Sequence, residues 1–272
     1  MPILNKDMTL CISLSARPSN IGTRFHNYLY EELGLNYIYK AFAPVDLADA
    51  IAGVRGLGIR GCAVSMPYKE DVIALVDEMD ASAQAIDSVN TIVNDNGRLR
   101  AYNTDYTAVR RLLAQHDISP ELSVLVRGSG GMAKAVAAAL RDAGFRNGTI
   151  VARNEATGQA LAALYGYAWA PRVGALTADL LVNVTPRGMA PDEARLSFRT
   201  ETIAAALVVF DVVASPSETQ LIRVARAAGK PIITGAEVVA LQAEEQFVLY
   251  TGIRPTPDQI QRAAAFSRDL PL

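Results

Sequence analysis

The sequence predicts an α/β protein with two domains, each built on a mostly parallel sheet. Short apolar runs typical of strands alternate with helical patterns along the chain, as expected for sheets covered by helices on both faces. The chain has 272 residues, about twice the commonest domain length. A glycine-rich turn near its middle follows one strand and precedes one helix, which predicts a second, doubly wound unit.

The first half of the chain predicts a substrate-type α/β domain over residues 1–103. Apolar runs predict strands at Thr9–Leu14, Tyr37–Phe42 and Gly61–Val64, and apolar periodicity predicts helices at 23–33 and 45–57. Pro67 is expected to open a helix carrying Val72, Ile73 and Val76, and small residues predict a short helix near 82–86. A hairpin is predicted from 91–94 and 99–102, turned by Asp95-Asn96-Gly97.

A helix beginning at Thr104 is expected to lead into the second domain, residues 104–236. Continuous apolar runs predict its strands. The first begins at Ser123, before the glycine turn, and the others lie at 149–152, 180–184, 208–213 and Ile232–Thr234. The last helices, at 237–250 and 258–267, are expected to return and complete the first domain, so that 237–272 belongs to it.

The turn Gly128-Ser129-Gly130-Gly131-Met132-Ala133 fits the G-x-G-x-x-G/A pattern of Rossmann-type dinucleotide-binding domains. The first glycine permits a tight strand-to-helix turn, and the second lets the backbone approach a pyrophosphate. Ala133 lets the helix sit close to the sheet. Phosphate oxygens would then face the unpaired N–H groups of the helix N-terminus. The alternative is a glycine turn that only packs a helix on a sheet.

Composition narrows the classes of function. The net charge is −2 without a basic run, which argues against a nucleic-acid or membrane-surface partner. No apolar segment has the length of a membrane span, and the N-terminus lacks a signal-peptide pattern, so a cytoplasmic location is expected. Cys11 and Cys62 lie in strand-like runs and are expected to be buried thiols. With two histidines, His26 and His116, no metal-ligand spacing exists.

Three polar segments lie at the ends of predicted elements: Lys69 after the third strand, Asn90-Thr91, and Asn103-Thr104-Asp105. α/β proteins place ligands at such strand ends. If the segments converge, Lys69 and Asp105 could face a substrate oxygen, and a lysine held by a carboxylate can transfer the proton that accompanies hydride transfer. The alternative is a surface lysine and an aspartate that caps a helix.

These motifs, in this order along nearly the whole chain, resemble those of the shikimate dehydrogenases. Gly235, Gln242 and the residues that follow resemble the family's C-terminal substrate helix. The other matching segments are 61–69 with G-x-N-V-T-x-P-x-K, 89–91 with A-V-N-T, 103–105 with N-T-D, and 183–189 with N-x-T-x-x-G-M.

The resemblance implies an NAD(P)-dependent dehydrogenase of aromatic amino acid biosynthesis that acts on a shikimate-like cyclic hydroxy acid. It implies that Lys69 and Asp105 are the catalytic pair and that Asn90 and Gln242 contact substrate hydroxyls. Further substrate candidates are Asn20, Gly22 and Ser65. The cofactor candidates are Gly128, Ser129, Gly130, Gly131, Met132, Ala133, Arg153, Asn154, Thr185 and Gly235. A monomer or homodimer is expected.

The chain departs from the family where the substrate binds. The two serines that hold the substrate carboxylate in the family fall on Asn20 and Gly22, and the tyrosine falls on Ala214. The Asn of N-V-T is Ala63, and its Thr is Ser65. Lost donors can cost a polar site several powers of ten in discrimination. Weak shikimate turnover or a different substrate is therefore expected. Replacement donors could come from Ser13, Ser15, Arg17 and Ser19, or these could be ordinary loop residues.

The choice between NAD and NADP stays open at this stage. Residue 152 is an alanine, so no acidic side chain accepts a ribose hydroxyl there, and Arg153 could pair with a 2′-phosphate. Asn154 and Thr157 differ from the family's NADP pattern, however, and Glu155 would repel a phosphate if it pointed inward.

The leading hypothesis is thus a dehydrogenase for shikimate or a close relative of it. The alternatives are a quinate or other polyol dehydrogenase of the same family, and a protein that senses a dinucleotide or metabolite without turnover.

Overall fold

The computed structural model describes residues 4–268. Residues 1–3 and 269–272, which the sequence analysis assigns to the ends of the first domain, lie outside the described residues. The described chain divides into two compact units. The first contains the chain up to Thr104 and resumes at Ala240, and the second contains the residues from Asp105 to Val239. Each unit has its own sheet and its own buried core.

The first unit has a six-stranded mixed sheet. Its strands are β1 (Thr9–Leu14), β2 (Tyr37–Phe42), β3 (Gly61–Val64), β4 (Glu78–Met79), β5 (Thr91–Asp95) and β6 (Arg98–Tyr102). The strand order is β2-β1-β3-β5-β6-β4, and β5 is antiparallel to both of its neighbours. The predicted hairpin is confirmed, with Asn96 and Gly97 at φ values of 54° and 90° in its turn.

The helices of this part are α1 (Asn20–Glu32), α2 (Leu47–Gly56) and α3 (Ala81–Gln84). The helix predicted after Pro67 is wrong in type and extent, because the chain forms only a short 3₁₀ helix at Asp71–Leu75. Val76 is then extended, and β4 pairs with the outer edge of β6. Strand pairing across the sheet therefore ends the helix early.

The second unit has a fully parallel sheet. Its strands are β7 (Val124–Arg127), β8 (Gly148–Val151), β9 (Ala168–Ala170), β10 (Leu180–Asn183), β11 (Val208–Asp211) and β12 (Ile232–Thr234). The helices are α4 (Thr104–Gln115), α5 (Gly131–Asp142), α6 (Glu155–Tyr165), α7 (Thr200–Ala205) and α8 (Gln220–Ala227). The strand order is β12-β11-β10-β7-β8-β9. From β7 the chain adds β8 and β9 on one side of the sheet and then returns to add β10, β11 and β12 on the other side. This is the Rossmann-type doubly wound topology.

Two C-terminal helices follow, α9 (Gly235–Thr251) and α10 (Pro257–Arg268). In the first unit, Phe247 and Tyr250 of α9 and Ile260 of α10 pack with Phe25 and Leu29 of α1 in one buried cluster. This core therefore joins the beginning and the end of the chain. The expected buried thiols are also found, since Cys11 and Cys62 are free and fully buried.

Candidate active site and cofactor pocket

The glycine loop between β7 and α5 begins at Gly128, where two different features require a glycine. Gly128 has a φ of 130°, and its N–H donates to the carbonyl oxygen of Val151 at 2.9 Å. A Cβ atom at Gly128 would lie 2.7 Å from Cγ2 of Val184. Both the backbone conformation and the close approach of the loop after β10 therefore require glycine at this position.

Gly130 and Gly131, by contrast, face open space. A Cβ atom on either residue would meet no atom within 4 Å. No side chain caps α5 at Gly130, while Ala133 is fully buried between the helix and the sheet. The loop thus leaves its backbone open to an approaching group beside a helix N-terminus, and this fits a dinucleotide pyrophosphate.

Beside this loop lies a cavity of about 940 Å³ at the carboxyl ends of the central strands. Gly128, Ser129, Arg153, Asn154 and Thr185, all predicted cofactor residues, line it together. This is the edge at which doubly wound sheets bind dinucleotides.

Side chains around the cavity are fixed by local hydrogen bonds. Asn154 caps α6 by accepting a bond from the Thr157 N–H at 3.1 Å, and the Ser129 and Thr157 hydroxyls lie 2.8 Å apart. Thr185 donates its hydroxyl to Oδ1 of Asn183 at 2.6 Å. Gly235, another predicted cofactor residue, lies against the backbone after β11, because a Cβ atom there would be 2.4 Å from the Val212 carbonyl oxygen.

A buried network that sequence reasoning did not identify shapes the loops after β10 and β11. Asp211 is fully buried and accepts bonds from Asn183 Nδ2 at 2.9 Å and from the Thr219 hydroxyl at 2.6 Å. Burial raises the pKa of this carboxyl, although its hydrogen-bond donors act in the opposite direction. Asn183 also donates to the carbonyl oxygen of Arg187 at 3.2 Å. The network therefore connects the ends of β10 and β11, and the loop after β10 lines the cavity.

In the first unit, the polar segments after β3 and before β5 are hydrogen-bonded to each other. The Val64 N–H donates to the carbonyl oxygen of Asn90 at 2.8 Å, and the Val89 N–H donates to that of Lys69 at 2.8 Å. β3 ends and β5 begins at the same edge of the sheet, because the two strands are antiparallel. Lys69, half-buried, thus belongs to the same edge as Asn90.

Asn90 is the centre of this polar edge. Its Oδ1 accepts from the Thr104 N–H at 2.8 Å, from the Thr104 hydroxyl at 3.1 Å and from the Thr91 hydroxyl at 2.8 Å. Its Nδ2 is buried and has no hydrogen-bond partner among residues 4–268. A buried donor without an acceptor is costly, so this amide nitrogen is poised to donate to a bound oxygen.

Gln246 of α9 is a further member of the edge whose contact the sequence does not reveal. Its Nε2 donates to the Thr91 hydroxyl at 3.0 Å and to the Asn90 carbonyl oxygen at 3.3 Å. Gln242, the predicted substrate residue, lies one turn earlier on the same helix and is half-buried. The spacing of four between these glutamines was the available signal, since such residues share one helix face.

The remaining predicted residues lie as follows. Asn20 is exposed in the first turn of α1, Gly22 is half-buried two residues later, and Ser65 is exposed directly after β3. Asp105 is buried in the first turn of α4 and belongs to the second unit, whereas Lys69 belongs to the first. Their pairing stays a prediction.

Two structural features are absent from residues 4–268. In residues 4–268, no group of His, Cys, Asp and Glu side chains could hold a metal ion. Over the same range, no helix combines the length and hydrophobicity that crossing a bilayer requires.

Comparisons with known proteins extend this description. Residues 19–92 match the family model of the shikimate dehydrogenase substrate binding domain. A shikimate dehydrogenase-like protein of Haemophilus influenzae is 58% identical over 268 residues, which cover 98% of this chain and 99% of that protein.

Two solved structures are similar over most of the chain. The shikimate 5-dehydrogenase of Thermus thermophilus, in complex with NADP(H) and shikimate, superposes with a TM-score of 0.86 at 31% identity, covering 96% of this chain and 100% of that one. The quinate dehydrogenase of Corynebacterium glutamicum, in complex with NAD, gives a TM-score of 0.86 at 26% identity, with 97% and 99% covered.

The doubly wound sheet, its open glycine loop and these relatives define the class of protein: an NAD(P)-dependent oxidoreductase that acts on a CH–OH group. The chain belongs to the shikimate dehydrogenase family.

Proposed function

We propose that the protein interconverts the hydroxyl and carbonyl forms of a shikimate-like cyclic hydroxy acid and has weak activity on shikimate itself. The observation that carries this proposal is the buried Nδ2 donor of Asn90, without a partner among residues 4–268, at the edge that also includes Lys69. A hydroxyl-rich substrate would satisfy that donor. The proposal also draws on family membership and on the resemblance of segments 61–69, 89–91 and 103–105.

Lys69 and Asp105 are the proposed catalytic pair. When bound, the nicotinamide supplies or accepts the hydride. Lys69 gives a proton to the substrate oxygen as the carbonyl is reduced and takes it back in the reverse direction, while Asp105 orients the lysine. The position of Asp105 supports this role, because it directly follows Thr104, whose N–H and hydroxyl are both bonded to Asn90. Gln242 and Ser65 are proposed to contact substrate hydroxyls.

The cofactor is proposed to lie along the glycine loop. Gly128, Gly130 and Gly131 would hold the pyrophosphate, with Ser129, Met132 and Ala133 completing the loop, and Arg153 and Asn154 would contact the adenosine ribose. Thr185 and Gly235 are proposed to contact the cofactor as well, and Thr185 lines the same cavity as the glycine loop.

The substrate is proposed to differ from shikimate in how it is held. Asn20 and Gly22 stand where the family has carboxylate-binding serines, and Ala63 and Ala214 replace an asparagine and a tyrosine. A quinate or other polyol dehydrogenase is therefore the second candidate, favoured by the similarity to a quinate dehydrogenase of known structure. A screen of shikimate, quinate and related cyclic hydroxy acids with NAD and with NADP separates the two.

The catalytic assignment is tested with Lys69→Ala. Loss of the proton donor is expected to lower kcat for the best substrate by about 100- to 10,000-fold. Cofactor affinity, measured by NAD(P)H fluorescence, should stay unchanged because the glycine loop is untouched. If the rates persist in the variant, Lys69 is not the proton donor; if no substrate turns over even in the wild type, the sensing alternative is favoured.

The proposal includes a cytoplasmic monomer or homodimer without a nucleic-acid partner. The net charge of −2 supports the last point, because nucleic-acid binding depends on concentrated positive charge. Light scattering on the purified protein measures its oligomeric state.

A further inference from the structure

The loop after β10, which brings Thr185 to the cofactor cavity, is folded around the side chain of Asn183. Oδ1 of Asn183 accepts a hydrogen bond from the Thr185 hydroxyl at 2.6 Å and one from the Thr185 N–H at 3.2 Å. Its Nδ2 donates to the carbonyl oxygens of Arg187 at 3.2 Å and of Thr185 at 3.4 Å. The Arg187 N–H donates in turn to the Thr185 hydroxyl at 3.3 Å. The orientation of one side-chain amide therefore decides where Thr185 lies.

Asp211, at the end of β11, fixes that orientation. Its Oδ1 accepts from the Val213 N–H at 3.2 Å, so this oxygen also acts as an acceptor towards Nδ2 of Asn183 at 2.9 Å. The amide nitrogen of Asn183 must therefore face Asp211, which turns the amide oxygen towards Thr185. Both side chains are fully buried, so bulk water offers no substitute partner if Asp211 is removed.

Thr219 holds Asp211 from the other side. Its hydroxyl donates to Oδ2 of Asp211 at 2.6 Å and accepts from the Ile222 N–H at 3.2 Å in the first turn of α8. Since the Ile222 N–H can only donate, the single hydroxyl proton goes to Asp211. Thr219 also packs against the loop after β10, because a Cβ atom at Gly188 would lie 3.4 Å from its own Cβ atom.

None of these three supporting side chains, Asn183, Asp211 and Thr219, lines the cavity, whereas Thr185 does. We propose that Asp211, held by Thr219, is a positioning residue for cofactor binding, which acts through Asn183 to place Thr185 in the cavity. The inference rests on the proposed contact of Thr185 with the cofactor. It is independent of the substrate and of Lys69.

A similar carboxylate lies at the opposite end of the same sheet and provides a matched control. Oδ2 of Asp179 accepts from the Ser123 hydroxyl at 2.6 Å and from the Ser123 N–H at 2.9 Å. Asp179 directly precedes β10 and Ser123 directly precedes β7. This contact therefore joins the amino ends of two parallel strands, whereas the cavity lies at their carboxyl ends.

The test measures the dissociation constant of NADPH, and in parallel that of NADH, by cofactor fluorescence with the whole protein well below its thermal midpoint. Thr219→Val keeps the shape of the side chain and removes only its hydroxyl, so Asp211 loses the donor that holds it. We expect Kd to rise about 3- to 10-fold, as for the loss of one buried hydrogen bond. Thr219→Ser restores the hydroxyl and should bind as the wild type does.

Asp211→Leu removes the acceptor itself and should raise Kd at least about 10-fold; if this variant does not fold, Thr219→Val decides alone. Asp179→Leu should lower the thermal midpoint but keep Kd within about 2-fold of the wild type, because its contact is far from the cavity. A Kd unchanged in Thr219→Val, or raised equally in Asp179→Leu, would overturn the proposal.

Thr185→Val separates this proposal from the proposed cofactor contact on which it rests. It should weaken binding at least as much as Thr219→Val, because it removes the contacting hydroxyl directly. Wild-type affinity in Thr185→Val would overturn both proposals. A loss of affinity in Thr185→Val without one in Thr219→Val would overturn only the positioning role of Asp211.

Discussion

At the scale of single residues, the first turn of α1 shows how the substrate pocket can be tested. Under the proposed correspondence, Asn20 and Gly22 stand where the family has two serines, and a Cβ atom at Gly22 would lie 3.6 Å from the hydroxyl of Tyr39, an ordinary contact. The Cβ atom of a serine at position 22 therefore meets its neighbours at ordinary van der Waals distance.

We expect Asn20→Ser/Gly22→Ser to raise kcat/KM for shikimate by about 10- to 100-fold, because each restored hydroxyl can donate to the substrate carboxylate. Most of the gain should appear as a lower KM. Asn20→Ala/Gly22→Ala is the control, since it adds the same Cβ at position 22 without a hydroxyl. Equal kinetics of the serine and alanine variants would mean that these positions do not contact the carboxylate.

At the scale of elements, the β7–loop–α5 unit separates two reasons for a glycine. Gly128 is required by its φ of 130° and by its approach to Val184, whereas Gly130, the N-cap of α5, has open space around its Cα. A turn that only packs a helix on a sheet would need the first glycine of the motif, Gly128, and not the second, Gly130. The open position at Gly130 is therefore the one that reports on a ligand.

Gly130→Ala is expected to lower the thermal midpoint only slightly, because the φ of −86° at this residue suits any side chain and a Cβ atom there would meet no atom within 4 Å. The added methyl should nevertheless weaken NADP(H) binding at least about 10-fold by blocking the approach of the pyrophosphate. Gly128→Ala should instead lower the thermal midpoint markedly, because its positive φ and the nearby Val184 both disfavour a Cβ atom. Normal cofactor affinity in Gly130→Ala would support the packing alternative.

The same scale shows what the sequence can predict. The glycine loop and the hairpin at Asn96-Gly97 were predictable because their conformations are set by neighbouring residues. β4 and β9 were missed, since each is a strand of two or three residues that exists through pairing with β6 or β8. Such short strands carry too few residues for a periodic pattern, whereas β12, which is as short as β9, is distinguished by its two β-branched isoleucines.

At the scale of the whole molecule, the parts of the site that escaped prediction are those assembled from distant segments. Arg127 and Arg187 are 60 positions apart in the numbering yet line one cavity, because β7 and β10 are neighbours at the reversal of the strand order. Gln246 reaches Asn90 across 156 positions. Strand order brings the first pair together and the packing of α9 brings the second together, and a local motif encodes neither.

The core of the first unit is assembled in the same way, and it contains a buried histidine. His26 of α1 stacks on Tyr39 of β2 with ring centroids 4.4 Å apart, and it lies 6.2 Å from the ring of Phe247 on α9. It is fully buried, and neither ring nitrogen makes a hydrogen bond of ordinary geometry with residues 4–268, although Gln246 lies near enough to oppose the effect of burial on its pKa. Burial lowers the pKa of His26 to about 3.

This burial links stability to pH. Because the folded-state pKa lies far below the ordinary value, the unfolded chain alone takes up the proton as the pH falls through about 6.5. The contribution of neutral, buried His26 to the stability of the folded state is thus fully present above that pH and is lost progressively towards pH 3. We therefore expect His26 to lower the free energy of unfolding by about 2 kcal/mol as the pH falls from 7 to 5.

His26→Phe keeps an aromatic ring in the stack and removes the titrating group, so its unfolding free energy should fall by about 2 kcal/mol less than that of the wild type between pH 7 and pH 5. Urea unfolding followed by circular dichroism measures both values. Equal losses in the wild type and His26→Phe would show that His26 takes up a proton within the folded core.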